Sequence, residues 1–578
     1  MNFRPWKTAA CIALIGLSGI VVSCATGFKP FPLRSPMSVD RGDFRPFSPM
    51  PEEYETATIW SGVDEIFFRP LTKVFSFDAS KRALNVNAMD EVPDSSWFTN
   101  RMSGKGMTPE EVQMGSCQDM LSSEGPFEVL GGKPDGFNPG FLVLAPNGKR
   151  YFFKFDYTES QPERASLADV VGSRIYHAAG FYAPCNQIIY FARSALKLSP
   201  KATKKDAKGE NIPMTDADVQ EAFKLAKLDP DGRVRASASL FLEGKPLGPW
   251  QYAGTRSDDL NDVIPHEHRR ELRAGFVIAS WVNHFDTRDQ NTLAMWIPTA
   301  GGKGYVRHNI IDFGDSFGNL ANLPNISNRL GYSYYLDFEH VFEDWLTFGF
   351  WVRPWDEGKF GKAGPVLGYY NVWNFEADEW QPGYPNPAFA KMREDDAAWM
   401  ARIIAEFTPA HIQAAVRAGN IQNTVVRSEL ARILRGRQMK ILRRWFRHQS
   451  PLTQPKFDFT KNPPQICLKD LAVYSGISKR LNRRYSVRGW MAKPALKDLG
   501  KFPVWPPKSD AGRVCGVLPT QIPGHDPSRP SYLMVDFTAK DEGQLEPPLI
   551  RIHLYVVGKG KYRVVGIERP ETSVSPFE

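Results

Sequence analysis

The segment Asn283-His284-Phe285-Asp286-Thr287-Arg288-Asp289-Gln290-Asn291, with Asp312-Phe313-Gly314 placed 21 residues after Asn291, constrains this chain more than any other feature. It spaces a carboxylate, an amide and a second carboxylate along two short loops. Oxygen-bearing side chains of this kind hold hard divalent cations, and a carboxylate can also take a proton from a hydroxyl. The setting narrows the fold further. An amphipathic helix is expected over 266–283, directly before the first loop. Ile310 and Ile311 bring the chain into Asp312 on a strand, and a hairpin fills the interval between the loops.

A lysine joins this set from upstream. Lys154 lies in Phe152-Phe153-Lys154-Phe155, at the end of a strand expected over 150–155. A charge between large apolar residues is an awkward choice for a plain core strand. Two acids are at hand. Asp169 sits in a helix expected over 165–179 and stopped by Gly180, and Glu163 precedes that helix. Position favours Asp169. Ahead of Lys154 come a strand over 127–130, a loop bearing Gly131, Gly132, Gly136 and Gly140, a strand over 141–145 and a tight Asn147-Gly148 turn. Further strands are expected over 186–192 and 235–242, with a Lys/Asp-rich, partly helical surface excursion near 200–231 between them. Helices over 395–407, 409–418 and 426–446 follow, and beyond Pro451 short alternating strands such as 550–557 and 562–567 mark a β-rich module.

Lys154, an acid on the next helix, Asp286, Asn291 and Asp312 stand in the order used by protein-kinase-like enzymes, and the chain resembles a divergent member of that superfamily. It is more similar to HipA-like and secretory-pathway kinases than to ordinary Ser/Thr kinases. Ala178-Ala179-Gly180-Phe181 followed by Ala183-Pro184 carries the HipA-like part, and the resemblance spans 127–447. It implies an α+β, two-lobed fold: a small β-rich N-lobe (127–255) and a helical C-lobe (256–450), preceded by an N-terminal extension (52–126) and followed by the β-rich module (451–578). It also implies ATP and Mg²⁺. Lys154, set by Asp169 or Glu163, would place the phosphates beside Gly132 and Gly136, and Asn291 and Asp312 would hold the metal. Asp286 would act on the acceptor hydroxyl, with His284 beside it and Arg288 where a phosphate-facing lysine is common.

Two departures from the family pattern matter. No Gly-x-Gly-x-x-Gly precedes Lys154, and no Ala-Pro-Glu follows Asp312. The aromatic stretch 345–380 occupies that place; it reads as core and loop packing, with a sugar or aglycone site as the other reading.

The first residues speak to location. Arg4 and Lys7 precede an apolar run over 9–22, too short to span a bilayer comfortably and suited to a signal peptide. Val21-Val22-Ser23-Cys24 resembles a bacterial lipobox, which implies a signal peptide over 1–23 and a lipid anchor on Cys24 that holds the protein to a membrane outside the cytoplasm. Ala25, where an Asp would favour the inner membrane, points to the outer one if the host has two. Residues 24–51, rich in Pro, Ser and Arg, read as a flexible tether. Four further cysteines, Cys117, Cys185, Cys467 and Cys515, permit two disulfides in three pairings. Cys467 with Cys515 is favoured because both fall in the C-terminal segment.

Other features exclude or add little. A net charge of +8 over 578 residues with no dense Lys/Arg block gives no reason to expect a nucleic-acid partner. The basic helix carrying Arg435, Arg437, Lys440, Arg443, Arg444 and Arg447 reads as a solvated face. Asp90 to Arg101 reads as a Pro-Asp turn ahead of a buried Trp-Phe pair. His266-x-His268 does not put both rings on one helix face and is no metal motif. Three functions remain. One is Mg-ATP-dependent phosphoryl transfer to a hydroxyl of an unknown protein, sugar or envelope component. The others are nucleotidyl transfer on the same fold and, because ATP is scarce outside the cytoplasm, a pseudokinase-like scaffold without turnover.

Overall fold

A computed structural model describes residues 30–33, 42–54, 62–69, 71–72, 81–132, 139–156, 163–206, 210–318, 327–353, 355–493, 497–507, 512–522, 530–543 and 548–570. Cys24 and Gly136 lie outside the described residues. A short helix α1 (Pro109–Met114) precedes the first sheet. That lobe is built from β1 (Phe127–Gly132), β2 (Gly140–Leu144), β3 (Arg150–Phe155), α2 (Arg164–Ala179), β4 (Asn186–Phe191), β5 (Leu196–Lys205), β6 (Asn211–Pro213), α3 (Asp216–Leu225) and β7 (Val234–Leu240). The strand order is β4-β7-β3-β2-β1-β5-β6, antiparallel except where β1 meets β5. The stretch expected as a partly helical excursion contributes more than that. Half of β5 and all of β6 lie in it and extend the sheet, because an edge strand beside β1 offers free backbone partners.

Strand alternation explains where Lys154 goes. Tyr151, Phe153 and Phe155 of β3 point into a phenylalanine-rich core with Phe127, Phe141 and Phe191, on which α3 lays Val219 and Phe223. Successive side chains alternate faces, so Phe152 and Lys154 emerge on the other side of the sheet. The awkward lysine is awkward only for the face it does not occupy.

After β8 (Lys245–Pro246) the chain enters a helical lobe through α4 (Arg270–Val282), every residue of which is buried. The hairpin β9 (Thr292–Pro298) and β10 (Gly304–Ile310) follows, then α5 (Phe338–Leu346), α6 (Pro387–Ala390), α7 (Glu394–Ala405), α8 (Pro409–Ala418) and α9 (Thr424–Trp445). Trp281 of α4 donates through Nε1 to the Leu434 carbonyl at 2.8 Å and fixes α4 against α9. Not all of the basic side chains of α9 are a solvated face, although Arg443 is exposed. Arg437 is buried over the Phe375 ring (3.6 Å) and donates to the Ser280 and Asn371 carbonyls; Lys440 and Arg444 pair with Glu376, Asp378 and Glu394.

The β-rich module is a pair of antiparallel sheets with its own core, drawn from Leu468, Val487, Val535, Phe537, Ile552 and Leu554 among others. Cys467 and Cys515 face each other on paired strands and are bonded, and Cys117 is bonded to Cys185. By loop-closure entropy each bridge restricts the unfolded chain by about 4 kcal/mol. The α+β two-lobed layout with a C-terminal β-rich module is as the sequence predicts.

The extension is integral to both lobes. Trp97 stacks on His308 of β10 at 3.4 Å between ring centroids, and Phe98 is fully buried. The segment read as a free tether is also partly docked. The Phe31 backbone bonds the Tyr532 and Tyr555 hydroxyls of the C-terminal module, and Phe47 pairs through its backbone with Gly304. Aromatic side chains in an otherwise polar stretch give these points something to bury. Among the described residues, no helix is long and apolar enough to cross a membrane.

Candidate active site

Helix α4 stops at Asn283, which takes the left-handed conformation (φ 51°) that Asn tolerates better than most residues. Its Oδ1 accepts from Trp380 Nε1 at 2.7 Å, so the turn out of the helix is pinned. His284 is buried beneath it, with Nδ1 3.1 Å from the Tyr176 hydroxyl of α2. Burial pushes the imidazole pKa down, so His284 is neutral and acts as a packing and hydrogen-bonding group.

The two motif loops are brought together by backbone register. Ile310 faces Thr292 in the β9–β10 hairpin, and Ile311 N donates to the Asn291 carbonyl at 2.9 Å. Asn291 Nδ2 donates to the Asp286 carbonyl (2.7 Å) and to Asp286 Oδ2 (2.8 Å), and Arg288 Nε lies 3.2 Å from Asp286 Oδ1. Asp286 is therefore held from two sides within its own loop. Asp312 follows with φ 56°, a strained backbone for a residue with a side chain and one often retained at functional sites.

Lys154 reaches this turn from the sheet. Its Nζ is 2.9 Å from Asp312 Oδ1 and 3.9 Å from Asp169 Oδ1. Burial opposes its charge, but Asp169 and Asp312 outweigh that and raise its pKa, so it stays protonated. Asp169 is a junction: Oδ2 accepts from Ser237 of β7 at 2.8 Å and Oδ1 from the Phe313 backbone N–H at 3.2 Å. One short acid thus ties the sheet, the helix and the turn at Asp312. Gly172 makes the fit possible, since a Cβ there would come 2.7 Å from Phe313 Cβ. Glu163, the other acid considered for Lys154, is turned away. It accepts from Gln422 N at 2.9 Å and faces Arg235, because the left-handed backbone at 163 (φ 69°) directs it out of the cleft.

The site carries more negative charge than its cations offset. Asp315, one residue beyond Gly314, has its pKa pushed well up by burial and by Asp286 and Asp312, with a hydrogen bond to Asp286, and Lys154, Arg288 and Arg164 oppose the rise. Crowded carboxylates of this kind fit a divalent cation. Among the described residues, no three His, Cys, Asp or Glu side chains close into a metal cage by themselves. A Mg²⁺ ion held by one or two carboxylates together with ligand phosphates matches that sparse donor set. Gly132 ends β1 at the mouth of the loop, while Gly131 is needed for sheet pairing: a Cβ there would meet the Thr203 carbonyl at 2.8 Å.

Several residues around the site escape motif reading. Asp315 had one signal, the acid directly after Asp-Phe-Gly. Tyr335 and Tyr384 flank Asp286 from outside the aromatic stretch singled out above, and Arg288 lies over the Tyr384 ring at 5.4 Å. Within that stretch Trp355, Tyr370, Phe375 and Trp380 are core, but Trp345, Phe348, Phe350 and Trp351 are 61–87% exposed, so packing accounts for only half of it.

The extension also reaches the Asp286–Asn291 loop. A π-helical turn, Asp64–Phe68, buries Glu65, and Arg69 Nη2 bonds Asp289 Oδ2 at 2.7 Å. Among the described residues, neither Glu65 carboxylate oxygen has a hydrogen-bond partner. Burial, then Asp289, push its pKa up from 4.5 to about 7, against Arg69 and Arg288. A carboxyl whose folded pKa is raised binds a proton that the undocked chain releases. Docking of this turn is therefore strongest below pH 4.5 and is weakened, by up to about 3 kcal/mol, as pH climbs through 7. Amide hydrogen exchange over 62–69, corrected for intrinsic rates, should speed up between pH 5.5 and 8 in the wild type. In Glu65→Gln it should stay slow and flat; an identical rise in that variant would remove Glu65 as the cause.

No family model matches the chain, and no curated protein matches it. Two solved structures of the Golgi casein kinase are similar. One, with Mn/ADP bound, is 9% identical with a TM-score of 0.26, over 56% of this chain and 74% of that one. The other is 10% identical with a TM-score of 0.25, over 69% of this chain and 91% of that one. Likeness at that level places no residue, and the site rests on the contacts described above.

Proposed function

We propose that this protein is an exported, membrane-anchored phosphotransferase that moves a phosphoryl group from Mg-ATP to a hydroxyl of an envelope component, sugar or protein. The observation that carries the reading is the meeting of Lys154, Asp169 and Asp312 beside the Asp286–Asn291 pair, five side chains from four separate segments. Mg²⁺, when bound, supplies charge neutralisation on the phosphates, and Asn291 and Asp312 are the residues that would hold it. Lys154 places the phosphates, oriented by Asp169. Asp286, held by Asn291 and Arg288, aligns the acceptor hydroxyl and takes its proton. Arg288 adds positive charge where the transferring group becomes more negative.

Two disulfides support an oxidising compartment, in keeping with the signal-peptide and lipobox reading of the first residues. With the anchor at Cys24 and Phe31 docked on the C-terminal module, that module would stand within about 25 Å of the bilayer. The test is thermal unfolding of the mature protein with Mg²⁺ and ATP. At about 100 times the dissociation constant, binding adds roughly 2.7 kcal/mol and raises the melting temperature. Asp312→Ala should abolish the rise. No rise for the wild type with any nucleotide and metal would end the catalytic reading.

A further inference from the structure

Behind the segment that joins the lobes lies a second cavity of about 670 Å³, remote in character from the acidic cleft. Its wall draws on the start of β3, the end of β7, β10, the last turn of α2 and the extension, so it touches both lobes. Four cations line it, Arg101, Lys149, Arg150 and Arg307, against two acids, Asp119 and Glu243. The acids are spoken for: Lys149 lies 3.6 Å from Asp119 and Arg307 lies 3.4 Å from Glu243. Among the described residues, Arg101 and Arg150 have no carboxylate within ion-pair distance. Arg101 donates to the His177 and Phe181 carbonyls, and Arg150 lies over the Phe241 ring at 4.4 Å.

A second, independent observation points to a ligand. Three buried polar atoms on lining residues, Ser116 Oγ, His177 Nδ1 and Arg307 Nε, have no hydrogen-bond partner among the described residues. Native interiors rarely leave such groups unmet, and an oxyanion beside Arg101 and Arg150 would neutralise the surplus charge of the wall. The volume falls in the range of small-molecule sites, larger than a bare anion needs. Tyr151, Tyr182 and Phe241 supply apolar wall beside the cations.

We propose that this cavity is a second ligand site, for a phosphomonoester of about sugar size, held between the lobes by Arg101, Lys149, Arg150 and Arg307. Arg150 and Lys149 belong to the sheet lobe, whereas Arg307 lies on β10, five residues before Asp312. A phosphate gripped from both sides would staple the lobes behind the cleft. The site does not depend on the catalytic reading, since it uses none of those residues.

The test is isothermal titration of the mature protein with inorganic phosphate, glucose 6-phosphate and glucose. Saturable binding of the two phosphates, tighter for the sugar phosphate and absent for glucose, is expected. Arg150→Gln, a substitution at an exposed position, should weaken both at least tenfold, while Asp312→Ala should leave them unchanged. Phosphate binding that survives Arg150→Gln but is lost in Asp312→Ala would place the anion in the acidic cleft and overturn the proposal. So would equal binding of glucose, or no saturable binding of any of the three.

Discussion

Replacing Asp90 with alanine is expected to lower the unfolding free energy by about 3–5 kcal/mol, the cost of stranding buried charge. Asp90 is 4% exposed and meets Arg270 Nη1 at 2.8 Å, Arg569 Nε at 3.1 Å and Arg402 Nη2 at 3.2 Å. Those three arginines come from α4, from the end of the C-terminal module and from α7. The carboxylate therefore joins extension, helical lobe and module at one point. Burial would raise its pKa, but the arginines hold it well below the usual carboxylate range. A carboxyl depressed in the folded state stabilises fully above pH 3.8 and loses that contribution as pH falls below it. Chemical denaturation at pH 7 should show the loss, and the variant's deficit should shrink at acid pH. Asp90→Asn keeps some hydrogen bonds and should fall between. Because Arg569 also donates to the Ser450 and Leu452 carbonyls, the module should melt earlier than the lobes in the alanine variant. A loss under about 1 kcal/mol would mean the arginines find other partners.

Asp286→Asn should reduce phosphoryl transfer by about 10²–10⁴-fold and leave the Mg-ATP thermal shift in place. The amide preserves shape and can still bond Asn291, but cannot take a proton. It also removes a charge from beside Asp315, so nucleotide binding should if anything tighten. Asp312→Ala should lose both binding and turnover, since it pairs with Lys154 and is the proposed metal ligand. Turnover is measured as label passing from the γ-phosphate of ATP to envelope material, with α-labelled ATP run alongside. Transfer of the α label instead would redirect the reading to nucleotidyl chemistry. Turnover within threefold of wild type in Asp286→Asn would remove Asp286 from the proton step.

Much of the site was legible because it depends on local spacing. His284, Asp286 and Asn291 share one loop, and the hairpin to Asp312 is closed by neighbouring residues. The long pairings were not. For Lys154, position favoured Asp169 but left Glu163 open; the fold puts Asp169 3.9 Å from Nζ and turns Glu163 to the Gln422 backbone. Glu65, Arg69, Tyr335 and Tyr384 carry no motif, and come to the loop only because distant segments pack there. Arg437 looked solvated because charge pattern says nothing about which carbonyls wait opposite.

By itself, the sequence determined most of the strands and helices that frame the site and the helix stop at Gly180, because helix and strand periodicity act over a few residues. Only the tertiary structure decided the rest. It turned Asp90 and Asp169 into junctions, left Asp315 crowded by two carboxylates, and docked Phe31 on the C-terminal module. Those outcomes depend on charge, burial and distance between residues tens to hundreds of positions apart, and a one-dimensional pattern holds no record of such distances.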